Sequence, residues 1–523
     1  MMSTVPATIV ALAVLSAAGL APAVALAGLR WLTIPLVPLA GSVIAALAAT
    51  AMMAAGGTIL GWFVALALAT ILAVGATWKR WPEHRPRRDG RHRSAPRDRW
   101  YRRIGGSGAL AVLLACVWCL RGLATPTVGF DARALWLIRA GWFLQSHHQL
   151  LVKMRVPDVV VIQSAYPPLV SAVTAVAWQV TGNHSLRLAV VLVALLNTAA
   201  LAVAALAVVD AGRQGSARLW ADARHHEETG PGTGRARNPV GIGWAASTPT
   251  VVGTVAAVLL VFIAFGITEP FMTNGYADPI WSLAALGAVA YGLQLGAHPA
   301  NRGVAVILVL VAGMSKNEGV ITAVVLIVLI ALRGLAHGSG ATGPRRRWHP
   351  LLVGLGELAA VAAWPLVMRA IHARGATTTL SPPHLWAGRA RGTFDGMVPY
   401  LHVIALAVPV AVVGGLALSR VRRRNGLAND WWAWAAVVGG VLVVAGAYVT
   451  GTGDIQPWLR SSVHRVTEFP ALTGWWIVAM WSVVACGAAA AYALHGHPRP
   501  AAVGATADAR VALAPIEPGP PVR

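Results

Sequence analysis

Thirteen apolar runs follow one another along the chain, at 5–28, 32–53, 58–78, 107–124, 188–209, 249–267, 279–296, 303–315, 319–333, 351–368, 398–418, 431–450 and 470–493. A helical span needs about 20 apolar residues. Backbone inside a bilayer must satisfy its own hydrogen bonds, which leaves the helix as the repeating unit of such a chain. The pattern predicts an all-α polytopic membrane protein with about 13 transmembrane helices. The charged fraction of 12% fits, because soluble domains carry about 25%. The runs 303–315 and 319–333 are short and flank a charged turn.

A net charge of +23 raises the question of nucleic acid, and the placement of the charge answers it. Lys79 to Arg103 holds eleven Lys/Arg against three acids, and smaller clusters stand at Arg345-Arg346-Arg347 and Arg420 to Arg424. All lie in connections between apolar runs, with no aromatic-interleaved basic fold, so a membrane and not a nucleic acid is the expected partner. Basic loops fix 79–106, 334–350 and 419–430 inside, which puts the N-terminus outside and the C-terminus in the cytoplasm. The N-terminus has no basic stretch before its apolar run and reads as a first span, not a cleaved signal.

Parity decides one segment. Pro167 to Gly182 is apolar but only 16 residues long and starts with two prolines. If it crossed the membrane, every later basic loop would invert; as a juxtamembrane helix in the outer interface it keeps all of them inside. The expected organisation is an N-terminal three-span unit (1–78), a basic cytoplasmic loop (79–106), a core (107–335) with a large outer loop (125–187), C-terminal spans (336–493) with an outer loop (451–469), and a disordered cytoplasmic tail (494–523) rich in Pro, Ala and Gly.

This topology collects the ionisable residues of the apolar regions on the outer side: Asp131, Tyr166, Glu269, Asp278, Lys316, Glu318, Arg460, His464 and Arg465. Such groups are expensive at membrane depth unless they line a wet cavity, so a shared outward-facing site is expected. Asp131 opens a stretch in which Leu135, Ile138 and Trp142 alternate with Arg133 and Arg139, an amphipathic interfacial pattern. Asp131 fits either a helix cap or a general base for an acceptor hydroxyl or amine. Glu269 and Asp278 bracket a Pro/Gly/Asn turn, where Asp278 either complements a helix dipole or holds substrate. Lys316 and Glu318 fit a mutual ion pair, or a phosphate contact with Glu318 orienting the lysine. Arg460 and His464 share a face at i,i+4 if their segment is helical, and arginine suits bidentate phosphate binding.

Metal signals are thin. His147-His148 has no acid at metal spacing, and the Cys116/Cys119 pair lies in an apolar span without His or acidic neighbours. Cys116, Cys119 and Cys486 read as small buried hydrophobes. No cofactor is expected to be required, and two carboxylates alone are weak grounds for a divalent metal.

The order of these motifs resembles a known family. An outer Asp soon after a span (Asp131), then Tyr166-Pro167-Pro168-Leu169, a second outer acid (Asp278), Lys316-Asn317-Glu318-Gly319 between short helices, and the late stretch Trp458 to Arg465 are similar to the GT-C membrane glycosyltransferases, in particular the bacterial relatives of dolichyl-phosphate-mannose protein mannosyltransferases. The likeness covers roughly 107–480. It implies a GT-C-like fold and transfer of a sugar from a polyprenyl-phosphate donor to a glycan, lipid or protein acceptor on the outer face of a bacterial cell membrane. By the same resemblance Asp131 is the base, Asp278 the acid near the donor phosphate, and Lys316 and Arg465 phosphate contacts, with Arg460 beside them. Many relatives carry a second acid after the first, where Ala132 and Arg133 stand here, which bears on metal dependence and acceptor binding. A transporter or glycan flippase is the alternative, although transporters place their charges near the midplane in repeated halves.

Overall fold

The computed structural model describes residues 2–78, 96–157, 164–229, 239–269, 271–295, 299–337, 344–375, 380–417, 431–452 and 454–495. The centre of the first basic loop, the Arg420 to Arg424 cluster and the tail beyond 495 lie outside them. The described residues are helical, with no β-strand. In order they form α1 (Thr4–Ala27), α2 (Thr33–Ala55), α3 (Ile59–Trp78), α4 (Pro96–Trp118), α5 (Ile138–Trp142), α6 (His147–Arg155), α7 (Leu169–Thr181), α8 (Leu186–Thr229) and α9 (Pro239–Thr268). There follow α10 (Asp278–Ala288), α11 (Pro299–Ser315), α12 (Asn317–His337), α13 (Pro344–Ala370), α14 (Trp386–Met397), α15 (His402–Ala417), α16 (Trp431–Thr450), α17 (Ile455–Val466) and α18 (Glu468–His495).

Among the described residues, ten helices are long and apolar enough to cross a membrane, and eleven if a pair bent by 70° around Tyr400–His402 counts as one. This is the architecture of a multi-pass membrane protein. The runs at 279–296 and 303–315 form the shorter helices α10, continued by a π-helical turn Val289–Gln294, and α11. Every residue of α10 is buried. An apolar helix with no polar face can be satisfied inside a bundle as well as in lipid, and α10 is satisfied inside.

The expected N-terminal unit is part of the same core. The apolar window of α2 is 89% buried, and α2 packs on α7, α8 and α11 as well as on α1 and α3. Small residues let it approach: a Cβ on Gly19 would stand 2.0 Å from the Val37 carbonyl oxygen, and one on Gly41 2.0 Å from that of Leu15. Close backbone approach at small residues is how apolar helices gain van der Waals contact without a hydrophobic drive between them.

The connections sort into two ends. At one end Gly129 N donates to Asn274 O, Arg374 N to Met154 O and Ser381 N to Thr450 O. At the other, Arg30 reaches Asn301, Tyr291 reaches Asp210 and Arg302 reaches the Pro350 carbonyl. Both termini of α7 belong to the first end: Arg139 holds the carbonyls of Tyr166 and Pro167 just before it, and Asn183 just after it donates to Met2 O. At about 20 Å long, α7 is too short to cross. It is also more enclosed than a helix lying on lipid, since eleven of its thirteen residues are buried.

Candidate functional site

Four segments distant in sequence meet at the first end. Asp131 stands where the chain leaves α4 and enters a π-helical turn, Ala132–Leu137, that runs into α5. Asp278 is in the first turn of α10, preceded by the tight turn at Gly275 (φ 87°), a backbone region glycine adopts without strain. Lys316 is the single residue between α11 and α12, and Arg465 lies in the last turn of α17. The helix α17 starts at Asp454, whose carboxylate accepts from Gln456 N at 3.0 Å, and turns Leu459, Val463 and Val466 inward.

The side chains form one chain of ion pairs. Arg465 Nη1 lies 2.5 Å from Asp131 Oδ2 and 3.7 Å from Asp278 Oδ2. Asp278 Oδ1 accepts from Lys316 Nζ at 2.5 Å, and Lys316 Nζ is 3.4 Å from Glu318 Oε1. Three carboxylates thus face two cations. Exposure is lowest at the middle of the chain, 0% for the Asp278 side chain and 6% for Lys316, and rises to both ends, through 12% for Arg465 to 25% for Asp131 and to 21% for Glu318. Burial acts to lower the Lys316 ammonium, but the carboxylates of Asp278 and Glu318 outweigh it and hold the ammonium above its ordinary value. The lysine is a fixed positive charge at the floor of the site.

An aromatic wall supports the upper pair. The Arg465 guanidinium lies over Tyr276 at 5.2 Å and Phe271 at 5.6 Å from the ring centroids. The Tyr276 hydroxyl accepts from the Asp131 backbone N at 3.4 Å. Burial, then the Asp131 carboxylate, raise the Tyr276 phenol above its usual range. Gly129 makes room for that ring: a Cβ there would stand 1.9 Å from Tyr276 Cε2. His464 packs on Phe271 and Tyr400, with centroids 5.4 and 6.2 Å away.

Of the expected site residues, Asp131, Asp278, Lys316, Glu318 and Arg465 are brought into direct contact. Tyr166 borders them: its ring meets Trp136 at 6.5 Å, and burial followed by the Glu318 carboxylate raises its phenol. His464 joins through the aromatic wall. Arg460 shares the helix of His464, as the i,i+4 spacing predicts, but is exposed and donates to Gln456 O at 3.4 Å, outside the ion-pair chain among the described residues. Glu269 is exposed on the adjoining turn and has no ion pair among the described residues. Neither acid caps a helix with its side chain: Asp131 accepts no capping bond, and Ala277 occupies the cap before α10.

The amphipathic pattern around Asp131 misplaces Arg139. Trp136, Arg139 and Trp142, three residues apart, are buried on one face, and Arg133 is exposed. Arg139 is fully buried and donates to Ser164 O at 3.1 Å, Pro167 O at 3.0 Å and Tyr166 O. It fixes the Pro-Pro turn against Asp131's helix. Glu468 is a further residue that sequence reasoning passes over. It is 1% exposed, accepts from Ser282 Oγ at 3.0 Å, and its other oxygen has no protein partner. An acid opening an otherwise apolar span is its signal. Asp278 Oδ2, Trp281 Nε1 and Trp476 Nε1 are likewise buried without a hydrogen-bond partner, so the floor of the site retains unused polar capacity.

Among the described residues no group of three or more His, Cys, Asp or Glu is placed to hold a metal ion. Comparison with protein-family models, with curated proteins and with solved structures returned no match. The fold and site therefore define a class, a multi-pass helical membrane protein with a buried acid–base cluster at one end of its bundle, and the chemistry of that cluster carries the functional reading.

Proposed function

We propose that the protein is an integral-membrane glycosyltransferase of the GT-C kind, moving a sugar from a polyprenyl-phosphate donor to a cell-envelope acceptor, with the cluster end outside the cell. The supporting observation is the ion-pair chain Asp131–Arg465–Asp278–Lys316, which sets a partly exposed carboxylate against one cation and links it through Asp278 to a second. Sugar transfer from a phosphate needs those two elements. A base takes the proton of the acceptor hydroxyl as its oxygen bonds to the anomeric carbon, and cations stabilise the phosphate that leaves with the electron pair of the broken C–O bond.

The geometry gives the two elements an order. Asp131 is tied to Arg465, and a donor phosphate would compete for the same guanidinium. Phosphate binding would detach Asp131 and leave its carboxylate beside the anomeric centre as a free base. Asp278 keeps Lys316 and Arg465 in place throughout.

Reconstitution tests this against the transporter alternative. Proteoliposomes containing the full chain, given polyprenyl-phosphate donors carrying labelled sugar and membrane extract as acceptor, should release polyprenyl phosphate and incorporate the label. Label that crosses the bilayer still attached to its lipid would establish transport instead.

A further inference from the structure

The end of the bundle opposite the cluster carries its own small charged notch, open to the surface. It is lined by Arg30, Trp31 and Leu32 from the turn between α1 and α2, by Asp210 and Arg213 from α8, and by Ala109 from α4. We propose that this notch binds the phosphate of an anionic phospholipid.

Three observations carry the assignment. The first is the state of Arg30. Its Nε donates to Ala27 O at 2.8 Å and its Nη1 to Asn301 Oδ1 at 3.1 Å, which fix the guanidinium plane. Its Nη2 is buried and has no hydrogen-bond partner among the described residues. A positioned guanidinium nitrogen withdrawn from water and left without an acceptor is costly unless a ligand supplies one, and a phosphate oxygen suits it. The second is the charge balance. Asp210 is already engaged, at 3.6 Å from Arg213 and 3.2 Å from the Tyr291 hydroxyl that donates to it, so the two arginines leave one positive charge for an incoming anion.

The third observation separates a lipid from a free anion. The rim of the notch is apolar and outward-facing: Trp31 is 43% exposed, Leu29 86% and Ile34 59%. A tryptophan at a helix end beside arginine is the side-chain set that seats at a headgroup level, with aliphatic neighbours toward the acyl chains. Free phosphate would gain nothing from them. The site is independent of sugar transfer, since its residues lie at the opposite end of the bundle from Asp131.

The test is titration of the purified full chain in detergent with dioctanoyl phosphatidylglycerol, dioctanoyl phosphatidylcholine and inorganic phosphate, with bound equivalents counted by native mass spectrometry. The phosphatidylglycerol should bind at least about tenfold more tightly than the phosphatidylcholine, since each basic residue near a headgroup contributes roughly a fewfold to tenfold. Arg213→Gln, at a side chain 34% exposed whose one ion pair here is with Asp210, should fold and lose most of that preference. Arg30→Gln should lose it as well, while Arg187→Gln, an exposed arginine at the opposite end, should keep it. Equal binding of the two lipids, an unchanged preference in folded Arg213→Gln, or inorganic phosphate binding as tightly as phosphatidylglycerol would each overturn the assignment.

Discussion

The two ends of the bundle handle buried charge in opposite ways. At the cluster end five ionisable groups from segments as far apart as residues 131 and 465 interlock, and the most buried of them, Asp278, is shared between two cations. At the other end Asp210 meets one arginine of its own helix, Arg213 at 3.6 Å, and the Tyr291 hydroxyl at 3.2 Å. Neutralising an acid by one arginine and one hydroxyl is what stability alone requires. A network drawn from four segments, with its floor buried and its upper carboxylate reachable, exceeds that requirement. Buried ion pairs add little net stability over apolar packing, so their presence needs another reason.

The contrast is broken most severely at Asp278. Asp278→Ala leaves Lys316 buried with only Glu318 for a partner, and loss of one member of a buried pair costs about 3–5 kcal/mol. Thermal unfolding in detergent should show a large fall, and a Tm equal to wild type would mean that the cluster is not buried as described. Next comes Gly129→Ala. Its Cβ would overlap the Tyr276 ring, and overpacking of this kind typically costs about 1–3 kcal/mol. The same measurement should register it, together with a loss of function that a distant overpacking variant of equal stability lacks. Asp131→Asn should barely change stability, by about 1 kcal/mol or less for a partly exposed pair, while lowering transfer strongly. At the far end, Asp210→Asn keeps an acceptor for Tyr291 and should change stability by about 1 kcal/mol, leaving transfer intact. Equal effects of Asp131→Asn and Asp210→Asn on transfer would erase the distinction between the ends.

Which connections share an end of the bundle is legible in the sequence because it rests on counting. Runs of apolar residues and three basic loops settle which connections share an end, and the short Pro-Pro segment follows from parity alone. That is why Asp131, Asp278, Lys316 and Arg465 group together without knowledge of any contact. Pairing is not legible. Lys316 and Glu318 are visible as near neighbours, yet the closer partner is Asp278, 38 residues away, and helix packing alone decides that. Arg139 defeats the reading because its charge marks it as solvent-facing, whereas its burial rests on the carbonyls of Ser164, Tyr166 and Pro167, which only the tertiary fold brings to it. The joining of α1–α3 to the core is hidden for a related reason: their hydrophobic faces are uniform, so nothing in the sequence says whether lipid or protein covers them.

Asp131 bears the chemical claim most directly. Wild-type protein and Asp131→Asn, matched for folding by Tm and reconstituted at equal amounts, would be compared for incorporation of labelled sugar from a polyprenyl-phosphate donor. Loss of a general base lowers such a rate by about 10²–10⁴-fold, and that loss with donor binding retained is the predicted result. A folded Asp131→Asn that transfers sugar at the wild-type rate would contradict the account.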